Sequence, residues 1–282
     1  MTRRTTFDLA WPDEWRGGLI VASPHSGRDY PDWFLRQTRL GEAQLRSSED
    51  AFVDQLVAPA LAAGAVTLVA RVPRSVVDLN RARDELDPQA VDGVEARPGN
   101  ARMLAGLGVI PRVVSHGRVI LERPIPQEEA ERRLAELWQP YHDALTSLMA
   151  EAVARFGVAV LLDMHSMPRE ALGHLDPRPQ VVIGDRHGRS AAGWLREGLR
   201  AALAAEGFPL RMNAPFAGAY IAAAYGEPGE GRHVLQIEVD RSLYMDEARL
   251  SPHRGLGILA GRLARVYASV ARQLPPAALA AE

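Results

Sequence analysis

The chain predicts a single α/β domain with a mixed, mostly parallel central sheet flanked by helices. Three observations lead there. Short apolar-rich runs recur at Leu19–Ala22, Val66–Ala70, Val158–Leu162, Val181–Ile183 and Val234–Val239, and such runs suit strands buried on both faces of a parallel sheet. Segments of helical spacing lie between them, so strand and helix alternate. Neither a repeat nor a linker of shifted composition interrupts the 282 residues. One domain over 1–282 follows, with its core from about 19 to 274.

Taken in order, Leu19–Ala22 is a strand running into the turn Ser23-Pro24-His25-Ser26-Gly27. Leu45 to Ala63 carries apolar residues at 45, 52, 53, 56, 57, 60 and 61, the spacing of a helix. Glu49, Asp50 and Asp54 sit near its start, where the helix dipole favours anions. Val66–Ala70 is a second strand, and Val76 to Arg81 reads as a short strand or extended segment. Residues 82–108, rich in Gly, Asp, Pro and Arg, predict a long ordered loop. Val113 to Leu121 predicts a hairpin turning at Ser115-His116-Gly117-Arg118. Glu128 to Phe156 predicts a long helix, entered at Pro126 and kinked at Pro140.

The central strand follows, as the run Val158-Ala159-Val160-Leu161-Leu162. Asp163, His165 and Ser166 come next, a polar cluster expected just past the carboxyl end of the strand, where open α/β sheets bind ligands. Pro168 stops the strand. Val181–Ile183 is a further strand, and Ser190 is expected to cap a helix running to Ala205. A loop from about Asn213 to Gly231 leads into Val234–Val239. His253 to Leu274 is the final helix, and the tail from Pro275 is expected to fray.

Composition excludes several kinds of chemistry. Apolar residues make up 47%, enough for a sizeable core, and the formal net charge of -2 gives no electrostatic case for nucleic acid. The absence of cysteine removes disulfides, thiol catalysis and Cys-ligated zinc, leaving His and carboxylates as metal ligands. All 33 basic residues are Arg. Schiff-base lysine chemistry is therefore excluded, and an anionic substrate must be gripped by guanidinium forks. No apolar run approaches a membrane span, and residues 1–18 contain no apolar signal segment, so a cytoplasmic protein without a membrane partner is expected.

His25, His165 and Glu238 each end a predicted strand, and Asp50 lies at a helix start soon after the first strand. Two His and one carboxylate with open positions is the pattern of a catalytic zinc site. Such a site needs a further carboxylate, off the metal, to take a proton from water. Glu238 suits that task because Gln236-Ile237-Glu238 sets it in a mainly apolar strand, where a carboxylate is costly without a partner or a role. Its other reading is a structural ion pair with Arg241, and His165 could equally be a hydrogen-bonded loop histidine. His142, mid-helix among apolar residues, reads as a satisfied core group. No H-E-x-x-H, G-x-S-x-G or phosphate-loop motif is present.

A set of blocks resembles the N-formylglutamate amidohydrolase (deformylase) family. They are Ser23-Pro24-His25-Ser26-Gly27, Glu49-Asp50-Ala51-Phe52-Val53-Asp54, Pro73-Arg74 with Asp78-Leu79-Asn80-Arg81, Gly108-Val109-Ile110-Pro111-Arg112, Pro140-Tyr141-His142, Asp163-Met164-His165-Ser166-Met167-Pro168, Gly184-Asp185-Arg186, Asn213-Ala214-Pro215-Phe216-Ala217-Gly218 and Leu235-Gln236-Ile237-Glu238. The resemblance implies a zinc-carboxypeptidase-like (phosphorylase/hydrolase-like) fold related to aspartoacylase. It implies one bound Zn2+ and hydrolysis of N-formyl-L-glutamate to formate and glutamate, late in histidine breakdown. By position, His25, Asp50 and His165 would be the metal ligands, with Glu49 as the fallback carboxylate, and Glu238 the general base. The related peptidases have Glu three residues after the first His, where this chain has Arg28. Arg74, Asn80 and Arg81 would bind substrate, Asn80-Arg81 resembling the pair that holds a carboxylate in the wider superfamily. Arg81 could instead pair with Asp78 or Asp84 and pin its loop. Ala219-Tyr220-Ile221-Ala222, with Ala223 and Ala224, departs from the family pattern and thins the polar lining of the expected substrate loop. That keeps two alternatives open: hydrolysis of another N-acyl amino acid, or binding of metal or ligand without turnover.

Overall fold

The computed structural model describes residues 6–95, 101–173 and 175–276. Its strands are β1 (Phe7–Ala10), β2 (Leu19–Ser23), β3 (Val66–Ala70), β4 (Val113–Val114), β5 (Arg118–Val119), β6 (Ala159–Met167), β7 (Val181–Gly184), β8 (Leu210–Met212), β9 (Arg232–Asp240), β10 (Met245–Asp246) and β11 (Ser251–Pro252). The described residues form two compact units. One takes the chain up to Asp8, Pro24–Ala51 and Ala70–Ala144; the other takes Leu9–Ser23, Phe52–Val69 and the chain from Leu145.

A seven-stranded sheet has the order β1-β3-β2-β6-β9-β7-β8. The β2–β3, β2–β6, β6–β9 and β7–β8 pairs are parallel, and β7 runs antiparallel to β9. This is the expected mixed, mostly parallel α/β sheet. At its middle, β6 is buried along its whole length. Val160, Leu161, Leu162 and Met164 on β6 and Val234, Leu235, Ile237 and Val239 on β9 are all buried. Burying each such side chain is worth roughly 1.5–3 kcal/mol.

One expectation is corrected here. Asp163, His165 and Ser166 do not follow the central strand; they belong to it, and the strand continues through Met167. The apolar run ends at Leu162, but β9 continues to pair with β6, residue for residue, as far as Met167↔Asp240. The ladder of backbone hydrogen bonds, not side-chain polarity, decides where a strand ends. Pro168, which cannot donate to that ladder, stops it as expected.

The helices of this unit bury regular stripes. Gly193–Ala205 buries Leu195, Leu199, Ala202 and Leu203, and Gly255–Ala271 buries Leu259, Leu263, Val266, Tyr267 and Val270. Ser190 does not cap the first of these. Ala192 holds the cap position, and Ser190 Oγ donates to Val234 O of β9 at 2.9 Å. The single helix expected over Leu45–Ala63 is also broken. Separate pieces lie at Glu42–Arg46, Val53–Val57 and Ala58–Ala63, the last a 3-10 turn. Phe52 adopts φ 68° ahead of the second piece, and Pro59 lies in the first turn of the third. The edge strands β1 and β8 carry too few buried residues to read in the sequence.

In the other unit, β4 and β5 form the expected hairpin. The expected long helix divides as Gln127–Arg133, a π turn at Leu134–Trp138 and Gln139–Phe156. Pro140 has no N–H and its ring crowds the preceding turn; the π turn before it absorbs the misfit. Val76 to Arg81 is not a strand but a series of turns. Its carbonyls are gripped by side chains of 127–144: Arg133 Nη1 donates to Val76 O (3.2 Å), His142 Nε2 bonds Leu79 O (3.0 Å) and Trp138 Nε1 donates to Arg81 O (3.0 Å). A carbonyl can only accept, so His142 carries its proton on Nε2. Burial lowers the His142 pKa to about 4, which keeps it neutral. It is the satisfied core group its context predicted. The segment between 82 and 108 is largely loop, with a short helix at Ala101–Leu104 and residues 96–100 outside the described set.

Candidate active site

His25 follows β2 after Pro24 and is 3% exposed. Its Nε2 lies 2.7 Å from Asp78 Oδ1 and its Nδ1 lies 3.6 Å from Asp50 Oδ2. The backbone repeats the link, since Asp50 N donates to His25 O at 3.0 Å. Asp78 is the hub of this cluster. Its Oδ1 also accepts from Asn80 N (2.9 Å), and its Oδ2 accepts from Arg74 Nη2 (2.7 Å). Burial alone would raise the Asp78 pKa, but the charges of Arg74 and His25, the His25 hydrogen bond and Arg81 outweigh it and hold the carboxyl well below its ordinary value. An ionised Asp78 fixes the proton of His25 on Nε2 and leaves Nδ1 as the ring nitrogen able to ligate.

Glu49 and Asp50 are adjacent but differently engaged. Glu49 accepts from Tyr30 Oη (2.7 Å) and from Arg46 Nε (3.1 Å). Burial raises the Glu49 pKa against the pull of Tyr30 and Arg46, and burial with the nearby Glu49 charge raises that of Tyr30. Asp50 is the one beside His25. Arg81, 4% exposed, donates from Nε to Leu107 O and from Nη1 to Asn80 O, both at 2.9 Å. Two of its donors thus hold the loop. Burial lowers the Arg81 pKa and the charge of Asp78 opposes that.

On the sheet, His165 and Glu238 are Cα partners on β6 and β9, and Asp163 and Gln236 are partners two residues earlier. Side chains two apart on a strand share a face, so four buried polar residues line one face of the two central strands. His165 Nε2 and Asp163 Oδ2 approach to 3.0 Å without the alignment of a hydrogen bond. Gln236 Nε2 donates to Glu238 Oε1 at 2.8 Å. Arg241, the alternative partner of Glu238, donates from Nε to Ser166 Oγ at 3.1 Å.

The sequence placed Asp163 in the polar cluster with His165 and offered Asp78 as a partner of Arg81, but assigned no site role to Asp78, Asp163 or Gln236. For Asp163 the readable signal was its place two residues before His165. Asp78 owes its role to a contact 53 residues away.

The fold and these buried clusters mark the chain as an α/β protein whose polar groups gather at the middle of the sheet and in the loop unit. More narrowly, residues 17–245 match the family model described as N-formylglutamate amidohydrolase, and the chain belongs to that family. It is 32% identical over 234 residues to the N-formylglutamate deformylase of Pseudomonas aeruginosa, covering 81% of this chain and 82% of the relative. It is 30% identical over 241 residues to that of Pseudomonas putida, covering 84% and 85%. It is also similar to the crystal structure of N-formylglutamate amidohydrolase from Ralstonia eutropha, with a TM-score of 0.89, 33% identity and coverage of 95% of this chain and 98% of that one. No described helix is long and apolar enough to cross a membrane.

Proposed function

We propose that the protein is a single-domain, cytoplasmic, zinc-dependent amidohydrolase that cleaves N-formyl-L-glutamate to formate and L-glutamate. The activity rests on one observation above all, the family match with relatives that carry this activity in their names. The chain passes repeatedly between its two units instead of crossing once, which supports one domain.

In this reading His25, Asp50 and His165 hold one Zn2+. All three are buried and each offers one ligand atom. The donor set of two imidazoles and one carboxylate suits zinc. The proton held by Asp78 supports Nδ1 as the His25 ligand atom, and the position of Asp50 beside that atom favours it over Glu49. When bound, the ion would bring the pKa of a water to about 7 and polarise the formyl carbonyl. Glu238 takes the proton of the attacking water and returns it to the departing amine as the C–N bond breaks, so that formate and the free amino acid leave. Arg74, Asn80 and Arg81 bind the carboxylates of the substrate. For Arg81 the support is a guanidinium already fixed by two backbone carbonyls, which presents its remaining edge at little entropic cost.

The test is release of formate from N-formyl-L-glutamate by purified protein, set against a panel of N-acyl amino acids. A faster turnover of another acyl group would give the second reading, which the run Ala222-Ala223-Ala224 favours. Metal analysis of wild type and His165→Ala tests the ligands; equal zinc in both overturns that set.

A further inference from the structure

The loop Ala217–Ala219 is fastened at three points. An ideal Cβ on Gly184 would lie 2.7 Å from Ala217 C and Gly218 N, so the loop crosses β7 closer than any side chain allows. Arg186 N donates to Ala217 O at 2.7 Å. Ala219 N donates to Gln236 Oε1 at 3.0 Å.

The third contact has a consequence two residues away. A backbone N–H can only donate, so the atom of Gln236 facing Ala219 must be the amide oxygen. The amide nitrogen is then the atom 2.8 Å from Glu238 Oε1, and an NH2 group can only donate. Glu238 is therefore met by a donor whose orientation is set from outside.

We propose that Gln236 is a positioning residue that fixes the base Glu238 to the Ala217–Ala219 loop, so that the loop and the base keep one geometry. Gln236 is 4% exposed and Glu238 7%, so water competes little for these bonds. The proposal rests on the reading of Glu238 as base. It makes position 236 intolerant of Glu for a chemical reason, since a carboxylate keeps the acceptor for Ala219 and presents a second acceptor to Glu238.

The experiment uses Gln236→Met and Gln236→Glu with wild type as reference. For Gln236→Met, kcat on N-formyl-L-glutamate should fall about 10–100-fold, the range for outer-shell partners, with KM within about twofold of wild type. Gln236→Glu, which sets a second acceptor against Glu238, should lose at least as much kcat. Wild-type kcat in both variants overturns the proposal. Amide exchange at Ala219 gives a reading independent of any substrate: faster in the Met variant, nearly wild type in the Glu variant. If wild-type protein releases no formate from N-formylglutamate, the proposed function fails, and the exchange data alone judge the tie. Equal exchange in all three proteins overturns it.

Discussion

Two histidines, each backed by an aspartate, lie in the two units of the molecule and are built in opposite ways. His165 and Asp163 sit two apart on β6, where the strand period alone turns them to one face. His25 and Asp78 are 53 residues apart, and Asp78 belongs to turns held by Arg133, Trp138 and His142. Their surroundings differ accordingly. Asp78 also receives Asn80 N and Arg74, whereas the Asp163 oxygens have no aligned hydrogen bond among the described residues. A strand supplies geometry cheaply, because its backbone is already paired. A loop must obtain the same precision from a network, and each member of that network is a point at which it can fail.

The largest expected effect lies beside His165. Glu238→Gln keeps the shape and the Gln236 contact but removes the proton acceptor, so kcat should drop about 10²–10⁴-fold while zinc content stays at wild type. Near-full activity would show that another group takes the proton.

The contrast between the aspartates is sharpest in stability. Asp78→Ala strips Arg74 and His25 of a shared buried partner, and breaking such a pair costs about 3–5 kcal/mol. Asp163→Leu removes a buried carboxylate without aligned hydrogen bonds and should change stability by about 1 kcal/mol or less, or increase it. Urea unfolding of both variants decides, and equal losses would erase the distinction.

The loop's grip should also depend on pH. Burial pushes the pKa of His142 down to about 4 in the folded chain, against about 6.5 for a free imidazole. Above pH 6.5 it is neutral in both states and costs nothing. Between pH 6.5 and 4 the unfolded chain binds a proton that the folded chain does not, so stability falls with pH by up to about 3 kcal/mol and then levels off. His142→Gln should flatten that part of the stability curve. An unchanged slope would assign the acid loss elsewhere.

The smallest effect is on substrate. Arg81→Lys should lower kcat/KM about tenfold for N-formylglutamate and less for its amidated analogue, which lacks the carboxylate to be held. The comparison matters more than the size, and an equal loss for both substrates would assign Arg81 to the loop alone.

Most strands were legible because an apolar run reports burial directly. The errors fall where another influence governs. The end of β6 lay beyond the apolar run because β9 paired past it, and the helix expected at Leu45 broke where Phe52 takes a left-handed conformation that no spacing reveals. The Ser190 hydroxyl found a carbonyl of β9 instead of a helix end.

The choice of His25, Asp50, His165 and Glu238 as candidates came from residue types, strand ends and the order of family blocks, because the chemistry of a hydrolytic site restricts which side chains can serve. The absence of cysteine and lysine narrowed that choice further. What those residues lean on was decided only by tertiary structure: Asp78 under His25, the grip of Arg133, Trp138 and His142 on the turns that carry it, and Gln236 between Glu238 and the Ala217–Ala219 loop. The physical reason is that a hydrogen bond is specified by the distance and direction of two groups. When those groups lie tens of residues apart, only the folded chain fixes either quantity.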